Sequence, residues 1–574
     1  MNKTVKIIWK ILEIALIALT VLGFVKAVFV SLDIDESYAV AEAYRLVSGD
    51  KLLYDMWEPH QFTSFIPAFF LLPFVTFTGG TAFSVIYLRI IGCIIHLIIG
   101  WFLYRTVRKE TEKNGALLVM LFHMNFLPKW VAMPEFELIH YWCLLLIFLL
   151  LYSNGKGIRI RALAAGVLYV ISGMCYPTMV FVFPLFFFGL FFCGRERKQA
   201  YFFTAGAFIG VTVFFLAILS YMSPAEIKTY VGYIFMDASH QTSAADKWSE
   251  YARQFLSQGI KIGKSMIPSA VFTFATAFYV KGYQKKQMAL SQIVVMFLFG
   301  IVTVLSIRAI IGFLFGNENQ FFFQIRYVVC TVAFIYLAIK GGKNYRFDLF
   351  IGILPSVVSL IGILFVTNMD TNTAYAKLMP AIVIGFFMQG KLWRKQIECA
   401  EFSTLEGQFG HLAAGMMIIC FLICRLVLIR VNGCLPVTIK APMTMLREGP
   451  AAGVFVMKDI GDEWNNDYEV FKNLVPKGKP VLYIGAEQLF YVAFCDRVCT
   501  PSVQGTTVFN EMYGEYYKRF PEKKPVCIVI DHSFDKTVGY YYSPENEYIY
   551  EWIHQNFETV REEDVGFYHF LYSQ

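Results

Sequence analysis

For most of this chain apolar residues come in long unbroken runs and not in alternation. Thirteen can be delimited, at residues 7–30, 82–104, 116–132, 136–152, 162–176, 179–193, 201–221, 265–280, 290–315, 321–339, 349–366, 378–393 and 412–429. Runs of this length predict helices that cross a bilayer, about 20 residues each at 1.5 Å per residue. The connecting segments test the count, because positive charge collects on the cytoplasmic side. RTVRKETEK, SNGKGIRIR, GRERKQ, KGYQKK, KGGKNYR and KLWRK are basic, whereas SLDIDE, AMPEFE, MSPAEIKTY through WSEYARQ, GNENQ and TNMDTN are acidic or neutral. Thirteen spans separate the two sets, with the N-terminus inside and the C-terminal tail outside. The first run follows MNKTVK and is too long for a signal-peptide core, so it is read as an uncleaved span.

One further apolar stretch, 62–77, is left out of the count because including it would move RTVRKETEK to the wrong side. It is short, contains Pro67 and Pro73 and ends in Thr-Gly-Gly, which predicts a re-entrant or interfacial helix. The alternative is a true span that breaks the charge rule. After about residue 432 the pattern changes. GVFVMKD, PVLYIGAE and PVCIVID read as buried strands, and DEWNNDYEVFKNLV and PENEYIYEWIHQNF as helices. A small α/β domain with a parallel sheet is expected over 432–574, following a membrane domain over 1–431 whose first outer loop is 31–81. The tail has neither GxGxxG nor a P-loop, so no nucleotide site is assigned to it.

Composition agrees: of 574 residues 57% are hydrophobic and 16% charged, and the mean hydropathy is +0.53. Soluble domains carry about 25% charged residues. The net charge of +7 conceals an asymmetry, since the tail from Asn432 has 13 Lys and Arg against 20 Asp and Glu, leaving +14 for the first 431 residues. That excess sits in the basic loops, so it reports membrane orientation and not a nucleic-acid partner. Eight of the twelve cysteines precede Asn432, mostly within apolar runs. Among the tail cysteines, Cys495, Cys499 and Cys527 leave a disulfide open.

The candidate chemistry gathers in the first outer loop. Asp33, Asp35 and Glu36 follow the first span directly. Asp35 is expected to cap an amphipathic interfacial helix over 36–48 that ends at Gly49. Capping and catalysis are compatible, but a carboxylate cluster beside lipid exceeds what capping needs. Glu135, with Glu137, forms a second outer acidic pair before the fourth span. Cations near the outer ends of spans are Arg89 and Arg326, with Arg308 and Lys377 weaker. Arg89 lies about two turns inside its span, where a charge needs a partner or a wet cavity, and Lys129 is read as snorkelling to the surface. His60, His140 and His240 are far apart in sequence, and no HxxxH or HExxH occurs. No metal and no cofactor is therefore assigned, the alternative being a divalent cation held by Asp35, Glu36 and a phosphate.

DIDESYAVAEAYRLVSGDKLLYDMWEPHQ resembles the first outer loop of GT-C superfamily integral-membrane glycosyltransferases, of the protein O-mannosyltransferase and aminoarabinose lipid A transferase branch. The match comprises the Asp-Glu pair, Gly49, Asp50, Tyr54, Trp57 and His60, then Tyr87-Leu88-Arg89 opening the next span; the Pro-Pro usual after the loop is replaced by Gln61-Phe62-Thr63. The resemblance implies a transferase moving a hexosyl or pentosyl group from a polyprenyl-phosphate donor to a lipid, glycan or protein acceptor at the outer face of the cell membrane. Asp35 would be the base of a single displacement, with Glu36 assisting, and Asp33 and Glu135 are further acidic candidates. Arg89, Arg326 and Lys377 would hold the donor phosphate, and Tyr54, Trp57 and His60 would form a substrate loop. A transporter or lipid flippase, which would place ionisable groups at the midplane and show inverted repeats, is the alternative. A scaffold displaying the tail is a third reading.

Overall fold

The computed structural model describes residues 3–573, apart from 112, 154, 156, 235–242, 285–289, 316–323, 399–416, 432–434, 439, 506–507 and 533–548. The described residues of the thirteen apolar runs are predominantly helical. The first is α1 (Lys3–Phe29), then come α2 (Ile34–Val47), α3 (Phe65–Thr78), α4 (Ser84–Glu110), α5 (Lys113–Asn125), α6 (Phe136–Tyr152) and α7 (Ile158–Cys175). Among the described residues five helical stretches are long and apolar enough to cross a membrane: Ser84–Glu110, Ile158–Cys175, Lys198–Leu219, Leu290–Gly312 and Gly342–Val366. The other runs lie on shorter helices or on helices of mixed character. Large apolar side chains such as Phe102, Phe192, Phe208 and Phe278 face outward, which is stable only against lipid. This is a membrane protein.

In the outer connection from MSPAEIKTY through WSEYARQ the described residues are largely helical. They comprise Pro224–Ile234 and the start of a continuous helix, Ala244–Gln284. His240 lies outside the described residues. The stretch 62–77 becomes α3, with Pro73 inside it and Gly79 closing it at φ +69°. Phe69 and Phe77 are 73% and 89% exposed, as an apolar helix lying against lipid requires.

The cap of α2 differs from expectation. Asp33, in extended conformation, is the N-cap and accepts from the Asp35 N–H at 3.1 Å, which releases the Asp35 side chain for other contacts. Gly49 follows the helix at φ +102°, a backbone region costly for any residue with a Cβ.

The tail also differs from a parallel-sheet domain. Strands β1 (Leu428–Val431) and β2 (Leu435–Thr438) form a hairpin that straddles the expected boundary, and β3 (Met443–Met445) pairs with β4 (Phe455–Met457) in a second one. GVFVMKD therefore never enters the main sheet. That sheet has the order β5-β6-β8-β7, from β5 (Val481–Ile484), β6 (Cys527–Asp531), β7 (Arg561–Val565) and β8 (Tyr568–Tyr572). Only β5 and β6 are parallel; β8 is antiparallel to both its neighbours. REEDV and YHFLY were not expected as strands because their outer positions are charged and their turn, Gly566, lies in a single short hairpin. Cys495, Cys499 and Cys527 are buried free thiols.

Tail and first loop share one apolar core. Leu32, Tyr38, Val40, Leu88 and Val131 pack together with Val454, Val481, Leu489 and Val503. Backbone bonds run across the joint: Ser31 N–H to the Phe455 carbonyl at 2.8 Å, Val85 N–H to Pro450 at 3.1 Å and Trp57 N–H to Pro501 at 2.9 Å. The tail is thus built onto the loop that carries the acidic cluster.

Candidate active site

Two outer segments meet above the helices. The first is 31–36. The second is 126–137, between α5 and α6, and it approaches α4 closely: a Cβ on Gly92 would lie 1.6 Å from the Ala132 carbonyl oxygen, so only glycine admits the second loop there. Lys129 on that loop has φ +49°, a left-handed conformation costing about 1–2 kcal/mol for an L residue. Ser31, opposite, has φ +74°. Strain of this kind persists where the surroundings hold it, and here the holding contacts are ionic.

The Lys129 ammonium bonds the Asp35 carboxylate. It also lies 3.8 Å from a Glu137 oxygen, 4.0 Å from a Glu135 oxygen and 4.6 Å from the centre of the Phe136 ring. Lys129 therefore does not snorkel outward; its side chain is only 6% exposed. Glu135 caps α6, accepting from the Glu137 and Leu138 N–H groups at 2.8 Å each. Burial pushes its carboxyl up to about 7, against the pull of Lys129. Lys377 donates to Glu137 and to the Tyr176 hydroxyl, and its pKa is lowered by burial. His60 stacks on Phe136 at 3.9 Å between ring centres and meets Tyr176 edge-on. His140, below, accepts or donates to Ser172 at 2.8 Å. Within this cluster Asp35 is the accessible carboxylate, its side chain 38% exposed, while Glu135 and Glu137 are 2% and 3% exposed.

The structure thus brings Asp35, Glu135, Lys377 and His60 together, and adds Lys129, Glu137 and Tyr176. Other expected residues go elsewhere. Glu36 and Arg89 bond each other: Arg89 Nε and Nη2 donate to the two Glu36 oxygens at 2.5 Å, and the remaining bonds go to the Val28 and Ser31 carbonyls. Four of the five guanidinium donors are used and both residues are fully buried, so Arg89 anchors α2 to α4 in place of facing a phosphate, and Glu36 faces away from Asp35. Asp33 is occupied as the cap. Asp35 and Glu36 consequently share no cation and do not form a joint donor set for a divalent ion; among the described residues no group of three or more His, Cys, Asp or Glu is arranged to hold one.

Tyr54 and Trp57 are in the joint with the tail. Trp57 is stacked on Tyr233 at 4.7 Å and Tyr230 at 4.9 Å, with Tyr516 edge-on. The Arg519 guanidinium lies 4.2 Å over Tyr54. These aromatics fasten loop to tail by burial and stacking.

Arg326 lines a separate, small cavity of about 20 Å3 with Arg425, Asn125, Leu127, Tyr327, Met379 and Phe421. Both arginines are buried. Arg326 packs 4.6 Å over Phe421, with polar contacts to the Cys424 sulfur at 3.5 Å and to the Tyr327 hydroxyl, and its Nε is without a hydrogen bond. Arg425 makes two long contacts, 3.4 Å each, to the Met124 and Gly23 carbonyls. Among the described residues neither meets a carboxylate. One residue, Pro128, separates Leu127, on this cavity, from Lys129, on the acidic cluster, so the second loop connects the two. Arg425 was missed although an arginine inside CFLICRLVLIR is the signal of a functional charge; Lys129 was missed because PKW reads as a surface step out of a span.

No family model and no curated protein matches the chain. Among solved structures it is similar to the oligosaccharyltransferase AglB of Archaeoglobus fulgidus in complex with an inhibitory peptide and a dolichol-phosphate, at 11% identity and a TM-score of 0.43, covering 91% of this chain and 70% of that one. The apo form of the Archaeoglobus fulgidus oligosaccharyltransferase gives the same values, and its complex with Zn and sulfate a TM-score of 0.37 at 12% identity over 91% and 68%.

Proposed function

We propose that this protein is a multi-pass membrane glycosyltransferase that moves a sugar from a polyprenyl-phosphate donor to an acceptor hydroxyl at the outer face of the cell membrane, where its tail also lies. The observation that carries the reading is the pairing of an accessible, lysine-held carboxylate, Asp35, with a neighbouring cavity whose two arginines have no carboxylate among the described residues. Single displacement at an anomeric carbon needs a base on the acceptor side and positive charge where the phosphate departs. Asp35 is the base: it takes the acceptor proton as the acceptor oxygen bonds the anomeric carbon and the bond to the phosphate oxygen breaks, with inversion. Arg326 and Arg425 receive the charge developing on that phosphate. Buried guanidiniums without counter-ions are costly unless an anion arrives to match them, and a phosphate is what guanidinium forks fit.

The thirteen-span topology, with N-terminus inside, belongs to the same proposal; it is supported by the alternation of basic and acidic connections. The test is transfer from a synthetic polyprenyl-phosphate sugar by the purified protein in nanodiscs, followed by mass spectrometry of acceptor products. Transfer that persists at near wild-type rate in Asp35→Asn overturns the base assignment.

A further inference from the structure

Divalent cations bind hard oxygen donors, and several carboxylates converging from different loops are the usual setting for one. Here Asp35 comes from the first outer loop, and Glu135 and Glu137 from the second. The centre they surround is already filled, by the ammonium of Lys129, in contact with Asp35 and within 3.8–4.0 Å of an oxygen of each glutamate. The lysine is held there from three sides. Its backbone is in the left-handed region, its charge lies over the Phe136 ring, and its side chain is enclosed. Lys377 supplies a second ammonium to Glu137 from the far side. A metal ion entering would have to displace a covalently attached cation and face two lysines.

We propose that Lys129 is the resident cation of this site, a positioning residue that holds the Asp35 carboxylate ionised and aimed, and that transfer by this chain consequently needs no divalent ion. The inference rests on the assignment of Asp35 as base for its catalytic half only; its cation-binding half stands on the geometry alone. Lys129 stays protonated throughout and exchanges no atom with substrate. The acceptor proton goes to Asp35, and the ammonium keeps that carboxylate oriented before and after.

The test uses the full-length protein in nanodiscs, stripped with EDTA. Mn2+ titrated into wild type and followed by electron paramagnetic resonance is expected to show no bound ion whose signal disappears in Asp35→Asn. An Asp35-dependent Mn2+ site in wild type would overturn the proposal without reference to any activity. In transfer assays the stripped wild type is expected to keep its rate, and arrest by EDTA that Mg2+ or Mn2+ reverses would overturn it. Lys129→Ala should lower kcat about 100-fold, the scale of losing one charged group that acts on a catalytic one, with the donor KM changed less than about twofold. Added ethylammonium should restore part of that loss, and Lys129→Arg should retain more activity than Lys129→Ala. A raised donor KM with kcat intact would instead make Lys129 a phosphate ligand and sink the inference. If the wild type transfers no sugar from any polyprenyl-phosphate donor, the functional reading fails while the Mn2+ titration still decides the role of Lys129.

Discussion

Two ionic networks start from the same first outer loop, and they are finished differently. At the joint with the tail, Arg45 is fully buried and directs its guanidinium to Asp50, Glu58 and the Asp55 and Pro501 carbonyls. Glu58 in turn accepts from the Ser502 hydroxyl and the Val503 N–H at 3.0 Å each, and Lys523 joins Asp50 and Asp55 from the tail. Each charge there has partners on both sides of the interface. Around Lys129, by contrast, the contacts to Glu135 and Glu137 are longer than hydrogen bonds, Glu135 has a raised pKa, and Asp35 is open to solvent on one side. A completed network fixes geometry, whereas one left open at a carboxylate can accept a proton or a substrate.

The largest effect expected from this contrast is on the open side. Asp35→Asn should lower transfer about 1,000-fold, within the range for losing a general base, with the thermal midpoint nearly unchanged because Asp35 is neither buried nor the cap. Equal loss of stability and activity would make it a structural residue like Glu58. On the closed side the pattern should invert. Arg45→Met leaves Glu58 without its counter-charge and Asp50 with Lys523 alone, at a cost of about 3–5 kcal/mol for a broken buried pair. Its denaturation midpoint should fall clearly while transfer per folded molecule stays within about twofold; a fall in transfer without a fall in midpoint would contradict the division.

The cavity arginines give a third, smaller effect. Arg425→Gln should raise the donor KM about tenfold, as for losing one charge-assisted bond to phosphate, and should leave the Asp35-dependent proton step alone. A KM equal to that of wild type would mean that Arg425 does not meet the donor.

How much of this was legible follows the physics of each signal. Helices were, because apolar runs of this length have one stable form in lipid, and the described residues of the runs are predominantly helical. The acidic side of the site was legible too, since Asp35 and Glu135 are charged residues beside spans. The partners were not. That Arg89 bonds Glu36, 53 positions away in sequence, and that Lys129 turns inward depends on how two loops cross at Gly92, which no local pattern encodes. Trp57 and Tyr54 looked like substrate-binding aromatics for the same reason: sequence shows an exposed-looking loop and not the tail that covers it. The sheet was misread because β4 is too short to tell a hairpin strand from a sheet strand.

The smallest expected effect bears on whether the closed side is closed by protons as well as by ions. Glu487, on the tail, is half-buried, accepts from the Leu489 N–H at 3.0 Å, and has its carboxyl pushed up to about 7 by desolvation, with Asp531 and Glu36 adding to the rise. An ordinary glutamate titrates near 4.5, so between these values the folded protein keeps a proton that the unfolded chain has released. The stabilisation is fully present below about pH 4.5 and is lost as pH rises through about 7. Wild type should therefore lose more of its thermal midpoint between about pH 5 and pH 8 than Glu487→Gln, whose side chain cannot titrate. Identical slopes would assign the pH dependence to other carboxyls. A steeper slope in the variant would mean that Glu487 is ionised in the fold, and the joint would then carry the kind of unmatched charge reserved here for Asp35 and its neighbours.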